Sequence, residues 1–188
     1  MEPCDTALIR SWGARTGGRI LDAGCGPGHW TDLLSNEVSE VIGIDVVPEF
    51  IRSARQRYPE VQFETMDMER ACFPDGSFEG VLAWYSMIHC ERASVEAILK
   101  QFNRLIRAEG SLLLGFFTGP AWNQFPHAIA TAFYWDVEET CNSLSDFGFR
   151  VDEVHTRSSQ HHRDHAAIVA RRVYAEGRLD QRYGASNA

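Results

Sequence analysis

Apolar residues in this chain come in short unbroken runs, separated by polar stretches that carry glycine or proline. Runs at 19–23, 41–45, 61–66, 78–86 and 111–117 are too short for helices of a buried core and read as strands covered on both faces. Between them the period lengthens to that of helices. Trp30, Leu33 and Leu34 share one face of a segment at 29–36. Pro48 opens a helix over 48–58, at a position where its missing N–H costs nothing, and Pro59 stops it. Ile98, Phe102, Leu105 and Ile106 line one face of a helix from 94 that is expected to close at Gly110, and 137–147 is a helix ended by Gly148. Residues 1–18 carry only a weak helical pattern (Leu8, Ile9, Trp12), which predicts at most a short lead-in helix.

The last two strands, 149–156 and 165–173, have a polar connection and no helix between them, so they should pair antiparallel. An aromatic-rich insertion at 118–136 precedes them, and 175–188 is expected to be a flexible tail after one domain spanning 1–174. Alternating strands and helices imply an α/β sandwich around a mostly parallel sheet. In such sheets ligands sit beyond the carboxyl ends of the strands. That rule gathers the turn after the first strand, Asp45, Asp67, residues 84–89 and the insertion at one rim.

Composition narrows the partners. A net charge of −8, with Lys100 the only lysine and arginines scattered, argues against nucleic acid. No run reaches membrane-span length and the first residues do not form a signal peptide, so a cytoplasmic protein is expected. Five dispersed cysteines without a CxxC pair read as reduced thiols. His161, His162 and His165 match no metal-ligand spacing, so no metal is expected.

The chemistry concentrates in Leu21-Asp22-Ala23-Gly24-Cys25-Gly26-Pro27-Gly28-His29-Trp30, where a strand runs through a glycine turn into a helix. A dinucleotide fingerprint requires its third glycine where His29 stands, and a phosphate-binding P-loop requires Gly-Lys-Ser/Thr, which is absent. An acid at Asp22 suits a ligand that presents a cation near the turn.

These residues resemble motif I of the class I S-adenosylmethionine-dependent methyltransferases, and the resemblance runs over about residues 19–173. Asp45 at the end of the second strand, Met66-Asp67-Met68, residues 78–89, Arg107–Leu112 and Phe147-Gly148-Phe149 resemble its later motifs in order. The resemblance implies a Rossmann-like three-layer sheet of order 3-2-1-4-5-7-6 with strand seven antiparallel, and S-adenosylmethionine as cofactor with S-adenosylhomocysteine as product. It places Asp22 near the cofactor's ammonium, directly or through water. Backbone at Gly24, Cys25, Gly26 and Gly28 would lie along the methionine part, with Asp45 on the ribose and Val46 and Met68 on the adenine faces. Asp67 would meet the adenine amino group, with Ala83 and Trp84 closing the wall.

The family has no fixed catalytic residue, so Tyr85 and His89 are candidates by position alone. Trp84, Tyr85, His89, Trp122, Phe125, Tyr134 and His161 are the expected substrate-pocket residues. The [DN]-P-P-[YFW] and Pro-Cys patterns of base-methylating enzymes are absent, which favours a small-molecule acceptor. Family members usually have a longer segment before motif I. With 20 residues ahead of Leu21, the site is expected to be more open, closed by a partner, or lidded by the insertion. The alternatives are a non-catalytic cofactor-binding scaffold and, less well supported by His29, a nucleotide-binding oxidoreductase.

Overall fold

The computed structural model describes residues 2–127, 130–158 and 163–173. Strands β1 (Arg19–Ala23), β2 (Glu40–Asp45), β3 (Gln62–Thr65), β4 (Phe78–Trp84) and β5 (Ile106–Phe117) form the parallel part of the sheet. Helices α1 (Pro3–Thr16), α2 (His29–Ser35), α3 (Pro48–Arg57) and α4 (Arg92–Leu105) alternate with them. A two-stranded hairpin, β6 (Gln124–Pro126) with β7 (Thr131–Phe133), occupies the insertion. Helix α5 (Val137–Asp146) and strands β8 (Phe149–Arg157) and β9 (His165–Arg172) follow.

The large sheet has the order β3-β2-β1-β4-β5-β9-β8, with β9 antiparallel to both its neighbours. This is the expected 3-2-1-4-5-7-6 arrangement once the hairpin is set aside. The unbroken apolar runs are explained by packing on both faces. In β4 and β5, Val81, Ala83, Leu112, Leu114 and Phe116 pack with α4, while Leu82, Trp84 and Leu113 pack with Ile9 and Trp12 of α1 and Leu34 of α2.

Two elements differ from the sequence reading. α1 is a full fourteen-residue helix. Ile9 and Trp12 are buried, and the Trp12 indole N–H donates to Ser111 Oγ at 2.8 Å. Its apolar pattern is weak because only a narrow stripe meets the sheet. α4 ends at Leu105 and not at Gly110, because Ile106 turns extended to pair with Phe78 at the start of β5. Gly110 then lies inside the strand, where a Cβ would stand 2.7 Å from the Glu79 carbonyl oxygen. A glycine placed for close strand packing was therefore read as a helix stop.

Candidate cofactor and acceptor site

The glycine turn is tied to the end of β2. Gly24 and Cys25 N–H both donate to the Ile44 carbonyl, at 2.8 and 2.9 Å. The Asp45 carboxylate accepts from Gly26 N–H through Oδ2 and from Val47 N–H through Oδ1, each at 2.9 Å. Each carboxylate oxygen has two lone-pair directions, so one acceptor position per oxygen is still unfilled by these bonds. The two outer glycines are needed for different reasons. Gly24 has φ +78° and a Cβ there would lie 2.2 Å from Ser86 Cβ. At Gly28, with φ +87°, a Cβ would lie 2.7 Å from the Phe63 ring and 3.0 Å from Ala54 Cβ, so its absence lets α2 start close against β3 and α3.

A cavity of about 750 Å³ opens beside this turn, within the ~300–1,000 Å³ of small-ligand sites. Gly24, Cys25, Gly26, Asp45, Val46, Asp67, Met68, Trp84, Tyr85 and His89, all expected at the site, line it. Val46 is 58% exposed, an apolar side chain left without protein cover beside Asp45. Asp67 Oδ1 accepts from Glu69 N–H at 2.9 Å, which holds the 68–70 turn against the cavity.

Three expected cofactor residues do not reach the cavity wall. Gly28 serves packing, as above. Ala83 is 1% exposed and points into the α4-side core, because strand alternation gives the opposite face to Trp84. Asp22 is sealed beneath the turn, 1% exposed, and accepts from Thr31 Oγ1 at 2.7 Å. It cannot touch a ligand directly, and any field it exerts on a bound cation acts through the turn. Burial pushes its carboxyl up to about 7, against the Thr31 hydrogen bond, with Asp45 adding to the rise.

A folded-state value above the ordinary one means that the native state holds the Asp22 proton more tightly than the unfolded chain. Its stabilising contribution is then complete below about pH 4 and is lost as pH rises through about 7. Asp22→Asn reproduces the donor and acceptor of the protonated carboxyl. Its melting temperature should pull ahead of the wild type between pH 5 and pH 8, by the equivalent of on the order of 2 kcal/mol. Parallel calorimetric scans across that range measure this, and curves that keep a constant offset would contradict it.

The aromatic residues of the insertion also miss the cavity. Trp122 donates its indole N–H to Glu139 Oε1 at 3.0 Å, Phe125 stacks on Tyr134 with centroids 4.3 Å apart, and Arg163 Nε donates to Tyr134 Oη at 3.2 Å. They fasten the hairpin to α5 and β5, since the short β6–β7 ladder has no helix of its own to bury against. His161 lies outside the described residues. The insertion reaches the cavity instead through His127 and Ala130. Cys90, Ser94 and Ile98 line it as well. The i, i+4 spacing of Ser94 and Ile98 on α4 was the available sequence signal, whereas His127 carried none.

Tyr85 has φ +54° and stands between this cavity and a smaller one of about 170 Å³ next to Asp5 and Arg157. Its hydroxyl is 2.5 Å from His165 Nδ1, and burial holds the phenol well above its ordinary value. Burial thus holds the Tyr85 phenol in its protonated form. Among the described residues no three His, Cys, Asp or Glu side chains cluster so as to hold a metal, and no helix is long and apolar enough to cross a membrane.

Residues 20–110 match a family model described as a methyltransferase domain. A demethylmenaquinone methyltransferase of Beutenbergia cavernae is 29% identical over 119 residues, covering 63% of this chain and 49% of that protein. A magnesium-protoporphyrin O-methyltransferase of Rhodobacter capsulatus is 31% identical over 94 residues, covering 47% and 41%. The chain thus spans about half or less of the length of these relatives. Among solved structures, an S-adenosylmethionine-dependent methyltransferase from Methanosarcina mazei superposes with a TM-score of 0.78 at 18% identity, covering 92% of this chain and 98% of the other. The 1,6-didemethyltoxoflavin-N1-methyltransferase of Burkholderia thailandensis gives 0.74 at 20%, covering 91% and 80%. At these identities the structures speak for the fold, and the family model speaks for the motifs from β1 to the start of β5. Over residues 20–110 the chain is thus similar to a methyltransferase domain, and its fold is that of the S-adenosylmethionine-dependent methyltransferases on which it superposes.

Proposed function

We propose that this chain transfers a methyl group from S-adenosylmethionine to a small organic acceptor. The observation that carries this reading is the pair of strand-end carboxylates, Asp45 and Asp67, facing one cavity beside an uncovered Val46. Asp45 has one acceptor position left on each oxygen, which suits two vicinal ribose hydroxyls. Val46 and Met68 offer apolar surfaces for the two faces of a purine, and Asp67 keeps an oxygen for its amino group. At Gly26 the backbone is bare and a Cβ would meet nothing within 4 Å, which leaves room for the amino-acid part of the ligand.

When bound, the cofactor supplies an electrophilic methyl on a positively charged sulfur. The protein's main contribution is then alignment, for which orientation alone can be worth ~7–11 kcal/mol. The remaining cavity volume suits an acceptor of modest size. The relatives named for demethylmenaquinone, magnesium-protoporphyrin and trans-aconitate methylation each act on a small molecule by their names, which supports that class here.

Isothermal titration with S-adenosylhomocysteine and with NADH tests the reading. The first should bind and the second should not, and no heat with S-adenosylhomocysteine would sink the proposal. Binding without methyl transfer to any acceptor would instead favour a cofactor-binding scaffold.

A further inference from the structure

Several titratable side chains line the cavity, and most are committed. Asp45 and Asp67 accept from backbone amides. Burial keeps the Tyr85 phenol protonated and pushes the Cys90 thiol up to about 11, with Glu69 and Asp67 adding to the latter. His29 stands beside the Arg57 guanidinium, Nε2 to Nη1 3.5 Å, next to the glycine turn.

His89 is built differently. Its Nδ1 lies 3.0 Å from the carbonyl oxygen of Thr131 on β7. A carbonyl can only accept, so Nδ1 carries the hydrogen, and in the neutral ring Nε2 is the atom with the lone pair. The inserted hairpin therefore fixes both the tautomer and the orientation of a histidine from the β4 side of the cavity. The same carbonyl stabilises the ring once it is protonated, because its partner N–H becomes more acidic and the bond stronger.

His127 lies against His89 with ring centroids 5.2 Å apart. Its Nδ1 is buried with no hydrogen-bond partner among the described residues. A second proton on that ring would leave a buried N–H unsatisfied, beside His89 and Arg163. Burial and those two neighbours hold its value below the ordinary one. Of the two adjacent imidazoles, His89 is the one whose Nδ1–H already has an acceptor, which leaves its Nε2 lone pair to receive a proton.

We infer that His89 is the proton acceptor of the transfer, and that the cavity takes a neutral protic nucleophile, a hydroxyl or ring N–H, rather than a carboxylate or thiolate. The inference rests on the methyl-transfer reading above. In the step, a lone pair on the acceptor oxygen or nitrogen forms the bond to the methyl carbon, and the carbon–sulfur pair stays on sulfur. The acceptor's proton passes to His89 Nε2, and the imidazolium releases it to solvent, one proton per turnover. The titratable groups around this pair are Arg163, just before β9, Cys90, which follows His89 in the chain, and Glu69 and Asp67 on the 67–70 turn.

Long-range ¹H–¹⁵N correlation spectra of ¹⁵N-histidine-labelled protein with S-adenosylhomocysteine test this, with His89 assigned by its absence in His89→Gln. The neutral ring of His89 should show a protonated Nδ1 and a bare Nε2. The opposite tautomer would overturn the inference. Failure of S-adenosylhomocysteine to bind the wild type would instead strike the reading beneath it. With hydroxyl or N–H acceptors, His89→Gln should lose about 100-fold or more in kcat/KM and the acidic limb of the pH profile, while S-adenosylhomocysteine affinity changes less than about threefold. Should Glu69→Gln show that loss and His89→Gln not, the base is Glu69 and the assignment to His89 is wrong.

Discussion

Gly24→Ala should destabilise the fold by about 2–5 kcal/mol and reduce S-adenosylhomocysteine binding at the same time. Two costs combine. An L side chain at φ +78° strains the backbone by ~1–2 kcal/mol. The added methyl would also stand 2.2 Å from Ser86 Cβ and 3.1 Å from Met68 Cε, an overpacking that costs ~1–3 kcal/mol. Ser86 cannot easily withdraw, because its hydroxyl donates to the Ala23 carbonyl at 2.6 Å and so joins the end of β4 to the end of β1. The displacement would fall on Ser86 and Met68, both of which line the cavity. Urea denaturation and calorimetric titration of the same preparation measure the two effects. A variant with wild-type stability and affinity would show that the turn relaxes far more easily than its contacts indicate.

Asp45→Ala should weaken S-adenosylhomocysteine binding by roughly 10- to 150-fold, the equivalent of about 1.5–3 kcal/mol. The alanine removes the acceptor for two hydroxyls that would then be buried without partners. It also frees Gly26 and Val47 N–H, so part of the loss reflects a looser turn. Asp45→Asn separates these contributions. Its amide keeps one acceptor but places a donor against one of the two backbone N–H groups, so stability should fall further relative to affinity than in the alanine variant. Unchanged affinity in a folded Asp45→Ala protein would mean that the ribose assignment is wrong.

Much of this architecture can be read from local pattern. A run such as Val41–Asp45, closed by an acid and followed by Pro48, specifies a buried strand, its end and the next helix within a few residues. The antiparallel final pair follows from a connection with no room for a helix. Where the reading failed, the deciding contacts were remote. Gly110 stops no helix; it lies in β5, where a Cβ would press on the Glu79 carbonyl of the neighbouring strand. α1 is integral to the fold because Trp12 meets Ser111, 99 residues away.

The site divides in the same way. Sequence alone determined that glycines, Asp45, Asp67 and residues 84–89 meet at one rim, because strand ends in a parallel sheet share an edge whatever the loops do. It could not determine which side chains face the ligand. Strand alternation turns Trp84 toward the cavity side and Ala83 away, and the depth of the turn seals Asp22 under it. The aromatic insertion, one of whose expected roles was a lid, folds its rings onto β5 and α5, and what it sends to the cavity is His127, Ala130 and the carbonyl that orients His89. Those last relationships join segments about 40 residues apart through one hydrogen bond and one ring contact, and no periodicity or spacing in the chain encodes them.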